Sequence, residues 1–393
     1  MPSATPLKPI TGMLRKRVIR DITVGIGAGI VGGSVYWHYF SKHLKLTEDY
    51  YAKIGGQAQL LAACYEGNSE RVKELVKEGA EIFVTDETGR TSLHFAAASG
   101  NVDTVRFVLE AGIPWNSLDV GNYTAGDYAE SGGHDAAYKE LVQAGIRAEM
   151  VLRMLNSGAS PTDKAANEDY LSQPVEYTGD TLVDAEKNGV MMGWETPLMK
   201  MHAKTICPDG GGTVLNVGFG MGIIDSSLQE LGPGKHVIVE AHPDVYKHMR
   251  DKGWHEIPNV HIVFGRWQDK IDEIRSLGPY DGIFFDTFGE FYKDLDDFHQ
   301  AIFDSSNGTQ QPLLNKPDGV YSFFNGLGGD HKLFHDVYCN IVSSDLQKRG
   351  ILTEFTKVAS DIVMDEETWK GIKRPYWMIK SYNLPTCRWK IDG

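Results

Sequence analysis

Val214-Leu215-Asn216-Val217-Gly218-Phe219-Gly220-Met221-Gly222-Ile223-Ile224 decides how this chain is read. An apolar run ends in a Gly-x-Gly-x-Gly turn and continues into a helical pattern. Three further segments follow at the spacing of alternating strands and helices: His236–Pro243, His261–Asp269 and Tyr280–Thr287. Each is a short apolar strand with a polar or charged residue at its C-terminal end. In a parallel sheet those ends share one edge, where ligands bind. The pattern predicts an α/β fold and an enzyme.

The glycine turn admits three readings. A dinucleotide loop wants G-x-G-x-x-G, whereas Gly218, Gly220 and Gly222 are spaced by two. A nucleoside triphosphate loop wants a Lys-Ser/Thr pair, which is missing. A G-x-G-x-G turn after a strand is the usual form for S-adenosylmethionine, which carries no pyrophosphate. Glu240, 22 residues after Gly218 and at the end of the second strand, is placed to accept both ribose hydroxyls. Turn and carboxylate together point to a nucleoside cofactor.

Bulk properties set the frame. The 393 residues suggest two or three domains. The net charge of −14 is uneven, with eight Lys/Arg against three Asp/Glu in residues 1–55 and 31 against 50 in the rest. Such an acidic body suits basic ligands and argues against direct nucleic-acid binding; solubility alone would also account for it. Cys64, Cys207, Cys339 and Cys387 are far apart, which argues against a zinc site or a disulfide framework. No metal is expected.

Ile22 to Phe40 holds no Asp, Glu, Lys or Arg, and as a helix would span about 28 Å, near the thickness of a bilayer core. Arg15, Lys16, Arg17 and Arg20 precede it, Gly25, Gly29 and Gly33 recur every four residues, and Tyr36, Trp37 and Tyr39 sit at one end. A single N-terminal hydrophobic helix is the expectation, with a glycine-rich leader as the alternative. Pro9–Arg17, the glycine-rich span, Tyr36-Trp37 and Tyr50-Tyr51-Ala52-Lys53 resemble the small single-span subunit VIIa of fungal cytochrome c oxidase, which implies a mitochondrial inner-membrane segment over residues 1–55.

Residues 56–146 carry a 33-residue period, within a repeat region of residues 56–150. Gly67, Gly100 and Gly133 form one series, Gly79, Gly112 and Gly145 another. The middle copy, Thr91-Ser92-Leu93-His94-Phe95-Ala96-Ala97-Ala98-Ser99-Gly100-Asn101, is close to the ankyrin signature, and the first and third copies are weaker, as end caps are. An all-α repeat region is expected, with the glycines at helix ends and His94 bonding the turn backbone. It serves either as a protein-binding surface or as a packed extension of the enzyme. Ala159–Lys164 reads as a connector, and the enzyme domain as residues 165–393.

Val190-Met191-Met192-Gly193-Trp194-Glu195-Thr196-Pro197-Leu198-Met199, with the glycine turn, resembles guanidinoacetate methyltransferase and its relatives. The repeats ahead of it, with Glu240–Pro243 and Gly265–Asp269, make the chain similar to the type IV protein arginine N5-methyltransferases of fungi and plants over residues 56–393. The resemblance implies a Rossmann-like class I S-adenosylmethionine-dependent methyltransferase fold. It implies monomethylation of the internal guanidino nitrogen of a protein arginine, in a large-subunit ribosomal protein, by a monomer of cytoplasm and nucleus.

Carried over residue by residue, Met191 and Met199 pack on the cofactor and Tyr177 closes over it. The turn from Gly218 through Phe219, Gly220, Met221, Gly222 and Ile223 to Ile224 wraps the methionine moiety. Glu240 binds the ribose beside Ala241 and His242, and Arg266, Trp267 and Gln268 border the adenine. Met192 stands where the guanidinoacetate enzyme has a charged residue, so the Met191 assignment is open by one position. The double-glutamate loop and Thr-His-Trp motif of the common arginine methyltransferases do not occur, which disfavours terminal-nitrogen dimethylation.

The chemistry asks for carboxylates. A guanidinium has almost no free lone pair at neutral pH. A carboxylate pair can hold its terminal nitrogens flat by bidentate bonds, leaving the internal nitrogen toward the methyl donor. Asp286 and Glu195 are the predicted pair, with Glu290 as an alternate; Glu195 could instead cap the helix that begins near Pro197. The acidic run Asp281, Asp286, Glu290, Asp294, Asp296 and Asp297 could draw a basic tail or be a solvated face. Trp369, Trp377 and Trp389 are expected in the packing of a terminal strand pair, and Tyr321–Gly326 as the fifth strand and a loop at the cleft.

The two resemblances imply different compartments. The basic N-terminus would face the matrix, placing an attached enzyme in the intermembrane space. The expectation is a reading frame that joins two neighbouring genes or is translated from an internal start, with a genuine fusion as the alternative. Two other functions stay open: a small-molecule guanidino methyltransferase, and a repeat scaffold or membrane-complex subunit with an inactive cofactor fold.

Overall fold

The computed structural model describes residues 55–156, 168–287, 292–303, 311–359, 368–373 and 375–391. The hydrophobic segment 22–40, the connector 159–164 and Glu290 lie outside them. No helix among the described residues is long and apolar enough to cross a membrane. The chain forms two compact units. One runs to Ile113 and takes in Asp119–Gly121; the other comprises Pro114–Leu118 and the chain from Asn122 onward.

In the first unit, helices α1 (residues 55–65), α2 (Ser69–Lys77), α3 (Ser92–Ser99) and α4 (Val102–Glu110) build two repeats. The same caps recur one period apart. Asn68 accepts from the Arg71 N–H at 3.1 Å and Asn101 from the Thr104 N–H at 3.0 Å, each tying down a donor that the helix cannot satisfy. His94 Nδ1 accepts from the Thr91 N–H at 3.0 Å, so this histidine is a turn fastener. Leu60, Val72, Leu93, Val105 and Val108 are sealed from solvent between the helices.

The third copy belongs to the second unit. Thr124 and Asp127 repeat the Thr91–His94 cap one period on, opening α5 (Ala125–Ser131) before the long α6 (Asp135–Asn156). Here the glycine series changes meaning. Gly79 and Gly112 have φ +98° at helix ends, whereas Gly145 lies inside α6. A Cβ on it would stand 2.6 Å from Val337 and 3.0 Å from Trp115. The expected helix-end glycine is therefore a point of close approach to α13 (Lys332–Lys348).

The rest of the second unit is an α/β fold. After α7 (Glu168–Leu171), a small antiparallel sheet of β1 (Glu176–Thr178), β2 (Thr181–Val183) and β3 (Gly189–Met192) leads through a single 3₁₀ turn into α8 (Thr196–Ile206). The main sheet follows: β4 (Thr213–Val217), α9 (Ile223–Leu231), β5 (Lys235–Glu240), α10 (Pro243–Asp251), β6 (Val260–Phe264), α11 (Ile271–Leu277), β7 (Gly282–Phe285), α12 (Tyr292–Phe303), β8 (Val320–Phe323), α13, β9 (Ile351–Ala359) and β10 (Ser381–Trp389). Its order is β6-β5-β4-β7-β8-β10-β9. The first five are parallel, and β10 runs antiparallel to both β8 and β9.

Every residue of β7 and β8 is buried, which explains unbroken apolar runs in place of alternation. The strand order reverses at β4, so a crevice opens between the carboxyl ends of β4 and β7. Gly218 follows β4 there with φ +98°, and a Cβ on it would stand 1.7 Å from the Asp286 carbonyl oxygen. Only glycine lets the two strand ends close up in this way.

Candidate active site

A cavity of about 410 Å³ opens at that crevice, within the usual range for small-molecule sites. Gly218, Gly220, Glu240 and Ala241 line it, together with Glu195, Asp286 and Tyr376. Met191 borders it, and its sulfur accepts from the Met221 N–H at 3.2 Å. Met192 is buried away from the opening and gives its N–H to Glu195. Of the two methionines, the structure turns Met191 to the cavity.

Glu240 is buried where β5 ends, its Oε2 accepting from the Phe219 N–H at 2.9 Å and its Oε1 from the His242 N–H at 2.6 Å. Burial raises its carboxyl above the ordinary range, and these backbone donors pull it back.

Glu195 is 2% exposed. It is the N-cap residue of α8 by position, but its side chain makes no cap bond there: its Oε1 accepts from the Met192 N–H at 2.9 Å and from the Tyr376 hydroxyl. Asp286 is half-buried just past β7. Burial and the neighbouring Asp286 charge push the Glu195 carboxyl far above the usual carboxylate range, and burial does the same to Asp286. Two carboxyls that oppose each other's ionisation form a site for a cation.

The other predicted residues fall in two groups. Trp267 and Gln268 border the cavity, as does Arg266, whose guanidinium is taken up by Asp269 at 2.8 and 2.9 Å. The second group lies behind the wall. Tyr177 donates to the Gly220 carbonyl at 2.9 Å and stacks on His248. His242 caps α10 through the Asp244 N–H. Gly222 caps α9 with φ +72°, a Cβ there meeting the Phe219 ring at 2.4 Å. Phe219, Ile224 and Met199 are core residues, with Met221 and Ile223 packed beside them.

The acidic run does not act as one face. Asp281 holds the Thr213 N–H and the Asn315 amide, Asp296 pairs with Arg153 and Arg349, and Asp297 pairs with Lys293. Of its described members, only Asp286 and Asp294 border the cavity.

Residues 162–355 match the family model described as guanidinoacetate N-methyltransferase, and residues 60–151 match ankyrin repeats in three copies. A relative from Candida glabrata called protein arginine N-methyltransferase 2 is 37% identical over 371 residues, 79% of this chain and 87% of its own. Proteins of the same name from Aspergillus oryzae and Saccharomyces cerevisiae are each 36% identical, covering 73% and 72% of this chain and 78% and 77% of theirs. The chain belongs to the protein arginine N-methyltransferase 2 family. Membership joins the repeats and the methyltransferase fold in one protein, as the sequence period and the glycine turn predict.

Tyr376, like Tyr170 and Thr287, borders the cavity without having been assigned to the site from the sequence of this family member. It comes from the segment ahead of β10, far in sequence from Glu195, and its own stretch Arg374-Pro375-Tyr376-Trp377 has no periodicity. The tryptophans around it gave a partial signal. Trp377 is fully buried with its Nε1 on the Ile379 carbonyl. The Trp369 and Trp194 rings lie 5.1 and 5.8 Å from that of Tyr376. Phe324, Gly326 and Leu327, after β8, also border the cavity, where the sequence places a cleft loop.

Proposed function

We propose that this protein transfers a methyl group from S-adenosylmethionine to an arginine of a protein, at the internal guanidino nitrogen. The observation that carries this reading is the buried pair Glu195 and Asp286 facing one cavity with Glu240 and the Gly218–Gly220 turn. The family assignment supports the reaction class. The missing double-glutamate loop and Thr-His-Trp motif support the internal nitrogen. The proposed substrate is a basic protein, a large-subunit ribosomal protein, met by a monomer in cytoplasm and nucleus; no nucleic acid is needed.

The residues fit the cofactor. A side chain on Gly218 or Gly220 would occupy the space against Asp286 and Met191, so their bare backbone suits the methionine end, and Glu240 suits the ribose. When bound, S-adenosylmethionine supplies a methyl carbon whose bond to sulfur breaks as the bond to nitrogen forms. Glu195 and Asp286 hold the guanidinium flat and supply the negative charge that its binding requires. The internal nitrogen has a single proton to lose, and the pair, with its raised affinity for protons, is built to receive it and pass it to water. Orientation within the cavity supplies much of the rate.

The test uses the full chain with methyl-labelled S-adenosylmethionine and large-subunit ribosomal proteins, followed by hydrolysis and identification of the labelled amino acid. N5-methylarginine is the expected product. Label only on free guanidinoacetate would replace this reading with a small-molecule methyltransferase. Absence of transfer with the cofactor bound would point to the inactive scaffold.

A further inference from the structure

We propose that Tyr376 is a positioning residue that fixes which oxygen of Glu195 meets the substrate, and through it which guanidino nitrogen is methylated. The inference rests on the guanidino-methyltransferase reading above. It begins from an asymmetry in the carboxylate pair. Glu195 Oε1 accepts two protein donors, the Met192 N–H and the Tyr376 hydroxyl. Two donors use the in-plane lone pairs of one oxygen, so only Oε2 is left to face the cavity. No described residue donates to Asp286, whose raised proton affinity has burial as its cause.

The pair thus offers a guanidinium two oxygens of Asp286 and one of Glu195. Two parallel bonds to Asp286 fix one edge of the planar cation, and the third acceptor fixes its rotation within the plane. Held by the Met192 N–H alone, the Glu195 carboxylate could turn about its own axis and grip the cation in a second rotation, which would bring a terminal nitrogen to the methyl donor. Tyr376 prevents this. Its ring forms a three-ring cluster with Trp194 and Trp369, and it packs so closely on Gly189 that a Cβ there would stand 2.8 Å from it. Gly189 is therefore the residue that lets the phenol reach Glu195.

The experiment compares the full chain with Tyr376→Phe, which keeps the ring and removes the hydroxyl, and with Gly189→Ala, which pushes the ring away. Three readouts are taken on a ribosomal-protein substrate: the methylated nitrogen after hydrolysis, kcat/KM against pH, and cofactor binding by calorimetry. In both variants kcat/KM should fall about 10- to 100-fold, the loss of one hydrogen bond to a charged group. The acid limb should move to higher pH, because the hydroxyl favours ionised Glu195. Terminal-nitrogen methylarginine should appear beside the N5 product. An unchanged product nitrogen and an unmoved acid limb in Tyr376→Phe, with cofactor binding intact, would overturn the proposal. Failure of the unmodified chain to methylate arginine would instead overturn the reading it rests on.

Discussion

Glu195 and Asp286 carry the most specific expectations at the scale of single residues. Both bind protons more tightly than ordinary carboxyls. A carboxyl whose folded pKa is raised holds its proton longer in the folded chain than in the unfolded one. Stability therefore falls as pH rises from the ordinary carboxylate range through the raised value. Glu195→Gln keeps an oxygen for Met192 and Tyr376 while removing the charge. It should stabilise the ligand-free protein by on the order of 1 kcal/mol, read as a higher melting temperature, and more at mildly alkaline than at mildly acidic pH. Equal effects at both would show that the pair does not share a proton. Asp286→Asn should lower kcat/KM at least about 100-fold with the fold intact by circular dichroism; full turnover would remove Asp286 from the mechanism. In the unmodified enzyme, arginine binding should weaken as pH falls, since the cation needs the pair ionised.

Among the secondary-structure elements, the β4–α9 turn is where sequence and structure agree most closely. Its glycines mark both the strand end and the helix start, and the carboxylates after β5 and β7 sit at the sheet edge because parallel strands are in phase. Gly218→Ala should cost about 2 kcal/mol or more and abolish cofactor binding, because a Cβ there meets the Asp286 carbonyl. Near-normal binding by calorimetry would mean that the turn can reopen without loss. The legible part of the site is what one short element presents at its end. Met199 shows the limit. It lies on α8 only four residues past Glu195, yet the helix turns it into the core among Leu182, Ile206 and Phe284. A linear motif does not state which face of a helix will be inward. Tyr376 was illegible for a related reason, since its meeting with Glu195 is made by the closing of the chain around the sheet and by no local pattern.

Within the catalytic unit as a whole, the last repeat helix is fastened to the wall of the cavity. Arg153 on α6 binds Asp345 on α13 and, at 3.2 Å, Asp296 on α12, while Tyr292 at the start of α12 donates to Asp345 at 2.7 Å. Lys348, at 2.8 Å, together with Arg153 and Tyr292 holds the Asp345 carboxyl down to about 2 despite its burial. Its contribution is fully present above the ordinary aspartate range and is lost as pH falls through that range toward about 2. Arg153→Met should destabilise the unit by about 2 kcal/mol and move acid unfolding to higher pH. Because Leu295 on α12 borders the cavity, the same change should raise KM. A variant with unaltered acid unfolding would show that the network contributes nothing net. The repeat period forecast the helices of this region but not their allegiance, because a 33-residue spacing records how an element is built and not what it packs upon.

Gly145 draws that allegiance tight. Where a repeat array could have ended in a loose cap, α6 comes close enough to α13 to leave no room for a methyl group beside Val337. The terminal repeat is therefore not an interchangeable cassette. Exchanging it would require α13 to be refitted in step, and variation at position 145 should be constrained by the residue at position 337.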